Sequence, residues 1–207
     1  MATNFPTSLD NTDSQKVVDG TNVIVAALPN NLLDMIEALQ AKVGVNGSAV
    51  ATSIDFLMRK GYVKVSEVVA SGGAGGGISA TTWTKRPFNT EDLDPGNLCT
   101  LSANRITLAA GTYDCLISVP GFNCGEFYSR LYNATAGSMV LQGQTTSCAT
   151  AQNVTSISLI RGRFTIAAAQ ALEVQMYSTS SRATNGMGCP IGAGNNVYAV
   201  AEFWKLY

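Results

Sequence analysis

The spacing of hydrophobic positions changes period along the chain, from helical to alternating. Leu32, Ile36, Leu39 and Val43 follow 4-3-4 steps, the seam of a coiled coil. Pro29 and Asn30 supply a start signal, and Gly44 stands where a helix end favours a left-handed residue. After Gly44-Val45-Asn46-Gly47-Ser48 the stripe resumes with Val50, Ile54 and Leu57 and runs towards Arg59-Lys60-Gly61. The pattern predicts a helical stalk over residues 31–70. Coils this short are marginal alone, so the seam also predicts self-association through these seven apolar residues.

Beyond residue 78 the period falls to two. Arg105 to Leu108, Thr112 to Val119, Glu126 to Asn133, Ser138 to Gln142, Thr155 to Ile160, Arg163 to Ile166 and Leu172-Val174-Met176 read as short strands between turn clusters. Tyr113, Cys115, Ile117 and Val119 are expected to face inward, and Pro120-Gly121 to close that strand. Roughly seven to nine such strands suit a two-sheet jelly roll over residues 78–207. No strict repeat is present, which excludes a propeller or solenoid.

The last strand, Asn196 to Tyr207, is apolar on both sides. Val197, Ala199, Ala201 and Phe203 fall on one face, Tyr198, Val200, Trp204 and Leu206 on the other. An antiparallel strand normally shows one polar face to water. Two apolar faces call for two partners: the opposite sheet and a second copy of the chain. Tyr198, Phe203 and Trp204 are the candidate contacts between copies.

Two segments lack either period. Residues 1–30 are polar, rich in Asp, Asn, Thr and Ser, with one apolar patch from Val23 to Leu28; they read as an extended attachment arm. Residues 71–77 hold five glycines in seven positions and read as a flexible hinge. A phosphate-binding loop is excluded there, because no Gly-Lys-Ser/Thr and no helix follow. The fold class is therefore mainly β: a jelly-roll head preceded by an arm, a short stalk and a hinge.

Composition narrows the chemistry. Among 207 residues, 13 are basic and 14 acidic, a net charge of −1, which argues against a polyanion such as nucleic acid as partner. The chain has no histidine, so the commonest general base, metal ligand and pH switch are missing, and a Ser-His-Asp nucleophile is excluded. Five cysteines, an odd number, include no Cys-x-x-Cys pair, and they read as reduced structural residues. Glu91-Asp92-Leu93-Asp94 offers oxygen ligands but lacks the glycine and distal glutamate of a calcium loop, so it reads as a solvated turn. Asp114, Glu126, Glu173 and Glu202 lie on predicted strands without a visible partner for paired-carboxylate chemistry. No cofactor or metal is expected. Lys16 is the first basic residue, and Val23 to Leu28 is too short for a signal core or a membrane span. The expectation is synthesis in the cytoplasm without export.

Leu32-Leu33-Asp34-Met35-Ile36-Glu37-Ala38-Leu39-Gln40-Ala41-Lys42-Val43-Gly44, followed by Ser48 and Phe56-Leu57, resembles a segment recurrent in bacteriophage fibre and appendage proteins. That segment joins an attachment arm to a distal domain. Arg86-Pro87-Phe88-Asn89-Thr90, Ile106 to Tyr113, Arg161 to Thr165 and Tyr198 to Leu206 resemble the tumour necrosis factor-like and complement-type globular head. Such heads are ten-stranded jelly rolls that pack as tight trimers, with aromatics of the last strand near the axis. The two resemblances together imply a non-enzymatic homotrimeric virion protein. Its arm would hold other capsid or tail proteins, and its head would meet a host surface glycan or protein. The alternatives are a capsid cement protein without a ligand and, in a different class, a glycan depolymerase.

Overall fold

A computed structural model of the chain describes residues 27–45, 53, 54 and 61–206. They fall in two units, Met1–Lys60 and Gly61–Tyr207. In the first, Ala27–Val43 forms helix α1. It begins four residues before the expected Asn31, inside the segment assigned to the arm. Pro29 does not prevent this, because amides of a first helical turn have no intrahelical acceptor to lose. Lys42 in the last turn suits the negative end of the helix. Gly44 ends it with φ 87°, its amide donating to Gln40 O at 2.8 Å. The rest of the arm, along with Val50 and Leu57, lies outside the described residues.

The second unit is a sandwich of two sheets. One has five strands in the order β10 (Thr155–Ile166), β6 (Gly111–Phe122), β12 (Asn196–Lys205), β1 (Tyr62–Val69) and β3 (Thr90–Leu93). The other runs β4 (Cys99–Ser102), β5 (Arg105–Leu108), β11 (Gln170–Ser178), β7 (Gly125–Asn133) and β8 (Ser138–Gln142). Short β2 (Thr84–Lys85) pairs with β11, and β9 (Thr146–Cys148) with β7. These strand pairs are antiparallel. Tyr113, Cys115, Ile117, Val119, Ala199, Ala201 and Phe203 line the inner face of the first sheet. Ile106, Leu108, Phe127, Leu131, Leu172, Val174 and Met176 meet them from the second. Cys115 is a small core residue, and burial pushes its thiol up to about 11. All five cysteines are free thiols, with Cys189 alone exposed.

Three expectations are corrected. Residues 62–69 are not stalk but strand β1, buried between β12 and β3. Val63, Val65, Val68 and Val69 are β-branched and tolerate extended backbone, and pairing with β12 and β3 fixes it there. The Gly-rich run is not a hinge. Gly75 donates its amide to Gly188 O at 3.0 Å, Met187 donates to Gly76 O, and Gly72 donates to Ile191 O. A β-carbon on Gly77 would stand 2.2 Å from Ala183 O, and one on Gly75 2.8 Å from Met187 O. Gly75 and Gly77 are there for close backbone approach, while Gly72 and Gly76 take left-handed φ of 77° and 105°. The head therefore starts at Gly61, not at Ile78. Finally, Pro120-Gly121 does not close β6, which runs on to Phe122. Strand β12 pairs with β6 only as far as Ser118, so at Pro120 one side of the strand has no ladder to break.

Insertion of β1 depends on the segment 86–90. The strand carries a bulge between Ser66 and Val68, and the extra residue, Glu67, is wholly buried. Arg86, equally buried, brings Nη2 to 2.6 Å from Glu67 Oε2 and donates Nη1 to Pro120 O at 3.3 Å. The 2.6 Å approach is a charge contact outside hydrogen-bond geometry, so neither carboxylate oxygen of Glu67 accepts a hydrogen bond. Burial pushes the Glu67 carboxyl up, against the opposite pull of Arg86. Asn89 grips the bulge from outside: its Oδ1 accepts from Val68 N at 2.9 Å, and its Nδ2 donates to Val68 O at 2.7 Å. Phe88 between them enters the core.

Two outcomes follow for stability. Gly77→Ala should lower unfolding free energy by about 1–3 kcal/mol in urea titration, as overpacking does; a free linker would tolerate it. Arg86→Met should cost about 3–5 kcal/mol, the usual loss when one partner of a buried pair is removed. In that variant burial alone acts on Glu67, so its folded pKa lies above its unfolded one. Stability is then greatest below the unfolded value and falls as pH rises through the folded one. The deficit against the native chain should narrow in acid, as read by thermal unfolding across a pH series.

Candidate functional site

The sandwich turns two chemically different faces outward. On the five-stranded sheet, the register builds rows across four strands. Tyr62, Trp204, Asp114 and Arg163 form one; Lys64, Glu202, Leu116 and Arg161 the next; Ser66, Val200, Ser118 and Leu159 the third. The Tyr62 and Trp204 rings lie 5.5 Å apart. Tyr62 donates its hydroxyl to Glu202 Oε1, and burial together with that carboxylate pushes the phenol up to about 12. Arg163 clamps Asp114 bidentately at 2.8 and 2.9 Å. Around these polar pairs the face stays apolar and open: Leu93 is 50% exposed, Ile157 51%, Leu159 37% and Trp204 37%.

The three residues expected at an interface between copies separate here. Trp204 stands on this outer face. Tyr198 shares its side of β12 but is half-buried, and its hydroxyl donates to Gly73 O at 2.7 Å within its own chain. Phe203 points the opposite way and is fully buried, its ring edge-on to Phe164 at 6.3 Å. Strict alternation along β12 forbids Phe203 and Trp204 from sharing a face. On the first unit, Leu32 (58%), Ile36 (39%), Leu39 (65%) and Ile54 (51%) are exposed, and Val43 is half-buried.

The outer face of the seven-stranded sheet was not foreseen from sequence. Down its middle run Glu173, Gln175 and Tyr177 of β11. Tyr132, Arg130 and Tyr128 of β7 stand opposite them, and Lys85 of β2 flanks Gln175. Trp83 closes the far corner, 5.1 Å from the Tyr128 ring and 5.5 Å from that of Tyr177. The Arg130 guanidinium lies 3.8 Å over Trp83 and 4.6 Å over Tyr132. A polar chain crosses the rows: Arg130 Nε donates to Gln175 Oε1, Gln175 Nε2 to Glu173 Oε2, and Arg105 Nε to Glu173 Oε1, at 2.7–2.8 Å. Lys85 Nζ adds an ion pair at 3.7 Å. Burial pulls the Glu173 carboxyl up, but the hydrogen bonds from Arg105 and Gln175 and the two cations outweigh it and hold the group below its ordinary value. The sequence signal was alternation of Tyr128, Arg130 and Tyr132 on one side of a strand; it becomes a site only when β11 and β2 are laid beside it.

The segment read as a solvated turn is strand β3 as far as Leu93, with the turn beginning only at Asp94, because Lys64 and Val65 of β1 pair with Leu93 and Glu91. Asp94 accepts from Leu98 N and Cys99 N at 2.9 and 2.7 Å, as a turn-building aspartate does. Glu126 accepts from Thr179 Oγ1. Among the described residues no group of three or more Cys, Asp or Glu is placed to hold a metal ion. A pocket of about 250 Å³ opens at the start of β12, lined in part by Tyr198, Asn196 and the exposed Cys189.

No protein-family model matches the chain. No curated protein matches it in sequence. Its shape is similar to murine APRIL (TM-score 0.49, 9% identity, 72% of this chain and 100% of the other). It is also similar to the globular domain of zebrafish complement 1qA (0.48, 15%, 72% and 98%) and to Eiger TNF from S. frugiperda (0.48, 12%, 72% and 94%). The jelly-roll assignment rests on the strand order and pairing given above.

Glu173→Gln should cost about 1.5–3 kcal/mol at neutral pH, the range for hydrogen bonds to a charged group. The native carboxyl has a depressed folded pKa, so its contribution is present above the unfolded value and is lost as pH falls through the folded one. Unfolding curves of the two proteins should therefore converge in acid.

Proposed function

We propose that this chain is a non-enzymatic, homotrimeric structural protein of a bacteriophage virion. Residues 1–30 anchor it to capsid or tail proteins, and the sandwich projects as an adhesive head. The observation that carries self-assembly is the outer face of the five-stranded sheet. Ile157 and Leu159 on one edge strand, Leu93 on the other and Trp204 between them stand open in a single chain, apolar surface that a second copy would cover. The exposed seam of Leu32, Ile36 and Leu39 on α1 supports the same reading. The phage assignment is supported by the resemblance over residues 32–57.

A second reading, a cement protein without a ligand, is favoured by one observation. The Gly-rich run is packed within the head and is not a hinge, so it lends adhesion no support. Binding of the purified protein to host cells separates adhesin from cement. Imaging intact particles decides between capsid and tail, and a particle without the protein refutes both.

Light scattering of the purified chain should give three times the mass of one 21.7 kDa subunit. Leu159→Asp, which places an unpaired charge in a desolvated contact, should yield a folded species of lower mass. A native monomer at micromolar concentration would end the proposal, as would a Leu159→Asp trimer.

A further inference from the structure

We propose that the outer face of the seven-stranded sheet binds carboxylated saccharides, with Arg105 and Arg130 recognising the carboxylates. This deepens the adhesion reading and rests on it, naming the face and the ligand class.

The charge on this face is unbalanced. Lys85 and Arg105 pair with one carboxylate, Glu173, and Arg130 reaches it through Gln175, in a chain whose total charge is −1. Glu126 stands beyond the Tyr128–Tyr177 row and is held by Thr179. Each arginine spends only Nε on the network. Their Nη groups hydrogen-bond to no described residue, and the Arg105 side chain is 47% exposed. A guanidinium edge with paired donors matches a planar carboxylate better than a point charge does. Arg130 is also fixed in advance, its plane held between two rings and its Nε tied to Gln175. Little side-chain entropy is left to lose on binding.

The aromatic neighbours narrow the class further. Trp83, Tyr128, Tyr132 and Tyr177 are all half-buried, so part of each ring meets solvent beside the cations. A pyranose offers C–H surface to such rings and a carboxylate to the arginines. Nucleic acid would also stack, but it calls for a strongly basic protein. The face lies on the sheet opposite the one assigned to self-assembly, so a trimer can present it.

The test uses the full-length chain with three probes: carboxylated glycans (oligogalacturonate and polysialic acid), neutral dextran, and polyglutamate as an acidic peptide. Binding is read by interferometry at low and physiological salt. The expected result is binding to at least one carboxylated glycan, weakened by salt, with neither dextran nor polyglutamate bound comparably. Arg130→Gln should weaken that binding tenfold or more, and Arg130→Lys should recover only part of it. Lys42→Gln on α1, equal in charge change, should leave it intact. Unaltered mass and melting temperature establish that the variants are folded. Binding to neither carboxylated glycan, equal binding of dextran or polyglutamate, or an Arg130→Gln protein that binds like the native one overturns the assignment. Binding to host cells without binding to these glycans removes the ligand class and leaves adhesion standing. Binding to the glycans without binding to cells does the reverse.

Discussion

Glu67 and Arg86 are buried opposite charges at the point where the strand β1 bulges inside the sandwich. Taking two ions out of water is expensive, and their attraction offsets this only with close geometry. The pair is brought to 2.6 Å from three directions, with its hydrogen bonding left incomplete. β1 brings the carboxylate, the segment after β2 brings the guanidinium, and Pro120 of β6 offers its carbonyl. Asn89 then holds the backbone of the bulge from the solvent side. Whatever the pair adds to stability, it ties the register of one sheet to a segment that belongs to the other.

Both outward faces depend on that tie. β1 contributes Tyr62 and Lys64 to the apolar face, in line with Trp204 and Glu202. The residues just before Arg86 contribute Trp83 and Lys85 to the cationic one, beside Tyr177 and Gln175. A shift of one residue in β1 would turn its side chains to the other side of the sheet. The same internal contact thus positions the surface proposed to assemble and the surface proposed to bind. The two chemistries are kept apart by the thickness of the sandwich.

The Gly-rich run shows the same dependence on tertiary contact. Read alone, five glycines in seven residues mean freedom. Packed against Met187, Gly188 and Ala183, Gly75 and Gly77 mean that no side chain fits. Glycine lowers the cost of close approach as readily as it loosens a linker, and only the neighbours tell which applies. The Arg86 to Thr90 segment behaves similarly. Its resemblance to a family of heads carried no mechanism until Glu67 and Val68 were found opposite it.

Alternation of period two was sufficient, from sequence, to place most strands of the head and the inward face of β6; for β12 it separated two faces without saying which is inward. Burial of apolar side chains decides both, and the pattern of burial is local. Helical spacing likewise gave α1 its exposed seam of Leu32, Ile36 and Leu39. Three things were not local. The strand nature of residues 62–69 depends on β12 and β3 lying either side of it. That Phe203 and Trp204 face opposite ways follows from alternation, yet the assignment of Phe203 to the core needed Phe164 across from it. The cationic-aromatic face is assembled from β2, β5, β7 and β11, between 18 and 68 residues apart for the contacts of Lys85 with Ala103 and of Arg105 with Glu173. Each strand alone shows an unremarkable mix of aromatic and charged residues. Only antiparallel pairing brings Arg130, Gln175 and Glu173 into one hydrogen-bonded line, because lateral register is a property of pairs of strands and is written in neither one by itself.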